Sequence, residues 1–472
     1  MRSVQLLLLV LLVGACAARQ PSHDRAHWRG TVSVPRAVRG DLAIFWLLPD
    51  EARQDPKDPA RWSPSSFRAM RNAIKRIRAY PAITLDERTL LDVQVDAPPE
   101  ALVFAQLDTH GQMFNSLLDG PNGGDWFGVA PPRKTRRFAI ALTEVAARAP
   151  RGEACSGPRD HLEILEAPGV AGSVGNDTRR RLCLHLPAGY DEDPQRRYPV
   201  VYTLAGFSGQ DSGGSVGEVF RAADEADAAH AAIFVGVNIA TKLGASYLVA
   251  SPVSGDFERF LVDTVPHYVD GKYRTIASSS ARGLVGQSTG GFDVVSLALR
   301  HSDRFEVVAE SSADALDLGS WMLTPDGHHV TSLPHDLLRI EAAFGPPGQM
   351  SSYAGDWSPD PSKPWGLAWP ADPATGIVDT AVWARWLSQS PSELIKRAPI
   401  LAAARAHLAG KILLAAGTHD DFELYAPAKR FSEQLTAAGV ANEFASDDGD
   451  HGGPFERKRR LVRFVLAHLA RR

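Results

Sequence analysis

Cysteine is scarce: three residues in a chain of 472, at positions 16, 155 and 183. None sits in a CxxC pair or beside histidine, which excludes a thiolate-built zinc site. Long apolar runs are equally rare. After the first fifteen residues no stretch is long and apolar enough to cross a bilayer. Excess charge is missing too. A formal net charge of −4 gives no basic footprint for nucleic acid. Neither G-x-G-x-x-G, G-x-x-x-x-G-K-[ST] nor H-E-x-x-H occurs, so the common nucleotide and zinc-protease motifs are absent. What remains is ordinary globular material, 44% apolar and 22% charged, of a length that suggests two domains.

The one apolar run, Leu6 to Val13, follows Arg2 and precedes small residues, the pattern of a signal peptide over residues 1–18. Two processing readings stand open. Ala15-Cys16-Ala17 resembles an ordinary cleavage site. Val13-Gly14-Ala15-Cys16 resembles a lipobox, which would lipidate Cys16 and tether the protein to a membrane. The expectation is an exported protein, in the periplasm or cell envelope as a lipoprotein or released outside. There Cys155 and Cys183 could pair, or stay as separate thiols with Cys183 packed on a strand.

Residues 19–29 are polar and read as a linker. Residues 30–150 hold short β-like runs (DLAIFWLL, LLDVQVDA, ALVFAQLD) between Gly/Pro turns, plus one helical stretch at 64–79. This predicts a smaller β-sandwich-like domain. Trp126 and Phe127 within it are open to two readings, packing or ligand contact.

From residue 158 to 472 the pattern alternates strand and helix, with fully apolar strands such as YPVVYTLAG. That predicts an α/β fold around a doubly wound, mainly parallel sheet. Residues 320–400 interrupt it with Trp, Pro and Gly and no clear period. They read as an insertion over the active face, its tryptophans either binding substrate or forming their own core.

The chemistry concentrates in GLVGQSTGGFD, residues 283–293. Gly286-Gln287-Ser288-Thr289-Gly290 is a G-x-S-x-G between a predicted strand and a predicted helix. That context presents the serine on a sharp turn, and the glycines remove side chains that would collide there. Serine needs a base. Of eight later histidines, His451 lies on a turn-rich loop before the last helix (DDGDHGGPF), while His407 and His468 lie within helices. The acid is expected after KILLAAG, in GTHDDFELY: Asp420 first, with Asp421 as the alternative. Asp447, Asp448 and Asp450 are too near His451 in sequence. An oxyanion hole needs two backbone N–H groups. Thr289 would supply one, and Phe207 or Ser208, in YTLAGFSGQDSGG, the other. Metal ligation by His419, Asp420, Asp421, Asp450 and His451 matches no known spacing, so neither metal nor cofactor is expected.

These segments resemble the family that includes esterase D (S-formylglutathione hydrolase), feruloyl and acetyl xylan esterases, enterochelin esterases and mycolyltransferases. LHLPAGYDEDPQRRYPVVYTLAGFSG is similar to its opening, GQSTGGFDVVSLALRHSDRF to its nucleophile turn, and GTHDDFELY with DDGDHGG to its acid and histidine segments. The resemblance covers about residues 158–472. It implies the α/β-hydrolase fold, Ser288 as nucleophile, Asp420 as acid and His451 as base, acting without cofactor on a small-molecule or carbohydrate-linked ester. The same site would serve an acyltransferase. A non-catalytic cell-envelope binding protein, with the β domain as its working part, is the reading from a different class. The departures are Ala205-Gly206 in the oxyanion loop, the long insertion and the extra N-terminal domain. They bear on substrate more than on reaction.

Overall fold

The computed structural model describes residues 26–55, 58–86, 91–111, 113, 123–131, 137–146 and 155–471. The leader, Cys16 and its two processing readings lie outside these residues.

The N-terminal part is built from two facing sheets. One has three strands in the order Leu91–Ala97, Ala26–Ser33, Arg137–Ala141. The other has five, in the order Thr143–Glu144, Trp126–Ala130, Leu102–Asp108, Val38–Leu47, Arg78–Leu85. The first strand begins inside the stretch read as linker, because Trp28 is buried between the sheets. Side chains alternate across a strand. Leu42, Ile44 and Trp46 therefore face the core between the sheets. Ala43, Phe45 and Leu47 face the opposite way, onto Met70, Ile74 and the main core of the molecule. The predicted helix spans Phe67–Arg76, with the Ser66 hydroxyl accepting the Ala69 N–H at its start. Trp126 and Phe127 are buried, which settles them as packing residues.

A hairpin of Ala52–Asp55 and Asp58–Pro64, not foreseen from sequence, precedes that helix. Hairpin and helix reach toward the C-terminal part. Arg71 on the helix donates to the Asp421 carbonyl at 3.0 Å and pairs with Glu423.

The C-terminal part holds one eight-stranded sheet in the order Asp160–Glu166, Arg179–His185, Ile233–Val237, Val200–Leu204, Arg282–Gln287, Val307–Ser311, Ile412–Gly417, Glu443–Asp447. Arg179–His185 is antiparallel to both neighbours, and every later pairing is parallel. Helices cover both faces, so the central strands are buried throughout. Val201 and Val285 meet the helices Gly214–Ala223 and Phe455–His468. Val200, Tyr202 and Leu284 meet the helix Thr289–Arg300 on the other face. This order and winding is the α/β-hydrolase fold.

The stretch 320–400 is not a loop. It folds into the helices Leu318–Met322, Ser332–Phe344, Gln349–Trp357, Thr380–Leu387, Pro391–Leu394 and Ala398–His407. Pro391 and Pro399 sit in first turns, where proline loses no intrahelical bond. Trp357, Trp383 and Trp386 are buried, and Trp357 packs against Tyr353 with tilted rings at 4.4 Å, so most of these tryptophans form the segment's own core. Only Trp365 is largely exposed.

Cys155 and Cys183 are joined in a disulfide across 28 residues, against the alternative of separate thiols. Closing a loop of that length restricts the unfolded chain by about 3–4 kcal/mol. Cys155→Ala or reduction is expected to lower the denaturation midpoint by a stability loss of about 2–4 kcal/mol. Urea titration with and without reductant measures it.

Candidate active site

Ser288 links the strand Arg282–Gln287 to the helix Thr289–Arg300 with φ 55° and ψ −123°. Residues other than glycine rarely hold such a positive φ, and doing so costs about 1–3 kcal/mol. The glycines make the turn feasible. A Cβ at Gly286 would lie 2.1 Å from the Gly290 carbonyl oxygen, and one at Gly290 would lie 2.3 Å from that of Ala205. A Cβ at Gly291 would lie 2.9 Å from the Ala313 Cα, so this glycine sets how closely the helix approaches the next strand's end. The Ser288 N–H donates to the Ser311 carbonyl at 3.1 Å, which anchors the turn to the neighbouring strand.

The turn opens into a cavity of about 640 Å³, of a size that holds a drug-sized ligand. Ser288, His451 and the loop Gly206–Ser208 line it together. A Cβ at Gly206 would lie 3.1 Å from the Ser288 Cβ, so this loop passes directly beside the serine. Thr289 is the first residue of its helix, where backbone N–H groups have no partner within the helix. Gly206, next to the expected donor Phe207, and Thr289, the other expected donor, thus lie beside the serine.

His451 is buried, and its Nδ1 lies 2.9 Å from Asp420 Oδ2. Asp420 follows the strand Ile412–Gly417, and its other oxygen accepts the N–H groups of Phe422 at 2.9 Å and Leu424 at 3.3 Å. Burial pushes this carboxyl up. The bond and charge of His451 together with those two N–H groups outweigh it and hold Asp420 below the ordinary carboxylate range. Asp421 takes a different place: its carboxylate accepts the backbone N–H of His451 at 3.4 Å. Both aspartates therefore touch the histidine, one at the ring and one at the main chain. Phe422 packs edge-on to the imidazole at 4.7 Å. His419 instead pairs at the surface with Asp448, 3.1 Å away.

Several residues of the site were not foreseen. Arg457, at the start of the last helix, binds both oxygens of Asp447 at 2.6 and 2.7 Å and the Ser312 hydroxyl at 2.8 Å. Its neighbour Lys458, 1% exposed, donates to the Gly452 carbonyl at 3.1 Å. The pair grips the loop that carries His451 from both ends. The signal was present as two consecutive basic residues on the apolar side of an amphipathic helix. Asp314 lies beside the serine, with Oδ1 3.4 Å from Ser288 Oγ. Met70, Ile74 and Arg53 of the N-terminal hairpin and helix also line the cavity, so both halves of the chain build it.

Among the described residues, one group brings three metal-binding side chains together: Asp108, His110 and Asp125 in the N-terminal part. It lies outside the cavity lining. His110 Nδ1 is 3.0 Å from Asp125 Oδ1, and that same oxygen accepts the Thr109 N–H at 3.1 Å.

The family described as "Putative esterase" matches residues 173–454 of this chain. A solved ferulic acid esterase is similar at 19% identity and TM-score 0.43, over 65% of this chain and 97% of that one. The fluorophosphonate-binding serine hydrolase F of Staphylococcus aureus is similar at 16% identity and TM-score 0.42, over 65% and 98%. An S-formylglutathione hydrolase from Agrobacterium tumefaciens is similar at 12% identity and TM-score 0.42, over 66% and 95%. Comparison with curated proteins found no match.

Burial pulls the Lys458 ammonium down to about 8, against about 10.4 for a free lysine. Between those values the unfolded chain keeps a proton that the folded chain has released, so Lys458 makes stability rise with pH across that window. Lys458→Met is expected to flatten this rise. Urea midpoints of both proteins at pH 7.5 and at pH 10 measure the difference.

Proposed function

From a chain that belongs to the Putative esterase family, we propose a serine esterase that hydrolyses carboxylic esters through an acyl-enzyme. Ser288 Oγ attacks the ester carbonyl, and His451 Nε2 takes its proton. Asp420 holds the ring by its Nδ1 proton and stabilises the imidazolium. The N–H groups of Phe207 and Thr289 receive the charge that develops on the carbonyl oxygen. The imidazolium then gives its proton to the departing alcohol. In the second half-reaction His451 takes a proton from water, the hydroxide adds to the acyl carbon, and Ser288 recovers its proton as the acid leaves.

The observation that carries this reading is the 2.9 Å bond between buried Asp420 and His451, which lines the cavity where the strained Ser288 turn opens. A serine of a solvated glycine-rich turn needs no such buried pair beside it. Export, with Cys16 as a lipid anchor, is part of the same proposal. It is supported by the apolar leader and by the Cys155–Cys183 disulfide, since such bonds persist in oxidising compartments.

The test is hydrolysis of p-nitrophenyl esters from acetate to octanoate. The mature protein is expected to turn over these esters, and folded Ser288→Ala to lose at least about a thousandfold in kcat. Asp420→Asn is expected to lose about 10⁴-fold in kcat, because it favours the wrong imidazole tautomer. Equal inertness of folded wild type and Ser288→Ala would contradict the proposal.

The N-terminal hairpin and helix are proposed as a substrate-binding wall. Met70 and Ile74 face the cavity with Leu337 and Trp321 of the helical insertion. Met70→Ala removes apolar contact at this wall. It is expected to raise KM for octanoate several-fold while changing KM for acetate little, because only the longer chain reaches that far. Steady-state kinetics on the two esters checks it.

A further inference from the structure

One carboxyl in the cleft has no part in the chemistry of Ser288, His451 and Asp420. Asp314 follows the strand Val307–Ser311, and its backbone N–H donates to the Ser288 carbonyl at 3.0 Å. Its side chain is buried yet lines the cavity. The two oxygens are used unequally. Oδ2 is met by the Tyr247 hydroxyl at 2.8 Å, the Thr289 hydroxyl at 2.9 Å and the Gln349 amide at 2.6 Å. Among the described residues Oδ1 has one partner, the Ser288 hydroxyl at 3.4 Å. An O–H···O bond of full strength is about 2.5–3.0 Å long. The carboxyl is thus locked by one oxygen, while the other keeps acceptor capacity next to the nucleophile.

The surroundings make this oxygen costly to leave without a donor. Among the described residues, Asp293, wholly buried behind the turn, has no hydrogen bond to either carboxyl oxygen, and Asp356 is buried nearby. Arg300, on the same helix as Asp293, is bound to Glu258 at 2.8 Å. Burial pushes the Asp293 and Asp314 carboxyls up and that of Asp356 up to about 7, so a further donor at Asp314 Oδ1 would favour the charged form that burial opposes. The substrate can bring one. Asp314 Oδ1 is 3.4 Å from Ser288 Oγ, and an attacked carbonyl carbon sits about 3 Å from that same Oγ, so a substituent on the adjacent carbon can be brought within hydrogen-bond reach of Oδ1.

We propose that Asp314 Oδ1 is a substrate-recognition group that accepts a hydrogen bond from a hydroxyl or ammonium on the acyl part of the ester, next to its carbonyl. The inference rests on the esterase reading and narrows it to hydroxy- or amino-acyl esters. A plain acyl group of equal size leaves the acceptor unmatched, and sites built around a polar group discriminate strongly against analogues that lack it.

The test compares the methyl esters of propionic acid, lactic acid and alanine, the last with its amine protonated. Proton release is followed with the mature protein, Asp314→Asn and Asp314→Ala. Wild type is expected to prefer lactate, alanine or both over propionate by about tenfold or more in kcat/KM, the scale of one hydrogen bond to a charged group. Preference for lactate alone identifies a neutral donor, and preference for alanine alone a cationic one. Each variant is expected to bring its own ratio to within about threefold of unity. The ratio is taken within one protein, so a general loss of rate cancels. Propionate hydrolysed as readily as the other two by wild type overturns this inference and leaves the esterase reading standing. An undiminished preference in the variants overturns it as well. Folded Asp314→Asn inert toward all three esters assigns the carboxyl to the nucleophile instead and also overturns it. Wild type inert toward every ester, p-nitrophenyl esters included, overturns both readings. If neither variant folds, the wild-type ratio decides.

Discussion

Ser288 holds a backbone conformation that only its neighbours make tolerable. Its positive φ turns the chain sharply from strand into helix, and no side chain fits at Gly286 or Gly290 without meeting a carbonyl oxygen. The strain is sustained by the parallel sheet on either side. Ser311 accepts the Ser288 N–H, and the loop at Gly206 closes over the serine from the neighbouring strand. The rest of the site is arranged around that fixed point. The His451 loop comes in from the strand Glu443–Asp447, and the acid from the end of the strand before it.

Holding the histidine takes buried charge. Arg457 and Lys458 are almost fully enclosed, and both spend their hydrogen bonds near the His451 loop. Glu310, beneath them in the sheet, accepts the N–H groups of Ala313 and Ala415 at 2.8 and 3.1 Å, and burial pushes its carboxyl up to about 8. Such groups cost free energy to bury and give it back only through well-placed partners. Their concentration here ties the geometry of the site to the stability of the last helix.

Most of the sheet was legible in the sequence because its strands are apolar runs bounded by turns. The G-x-S-x-G turn, Asp420 and His451 were legible because each sits at a strand end in a recognisable chain order. Three things were not. The helices of residues 320–400 were hidden by prolines that start helices and by tryptophans spaced for a local core. The hairpin before Phe67 reaches the cleft only through tertiary packing, which no local pattern records. Asp314 looks like any aspartate after a strand. Its place beside Ser288 follows from the parallel register that sets Gln287 against Ser311.

The central claim is that the strained turn presents Ser288 as an activated nucleophile, and covalent labelling tests it most directly. The folded mature protein would be treated with a fluorophosphonate, whose phosphorus is attacked by a serine oxygen with loss of fluoride. Intact mass and peptide mapping would then locate the adduct. A single phosphonyl group, carried by Ser288, is expected. No adduct on the folded protein, or an adduct on another residue with Ser288 unmodified, would contradict it.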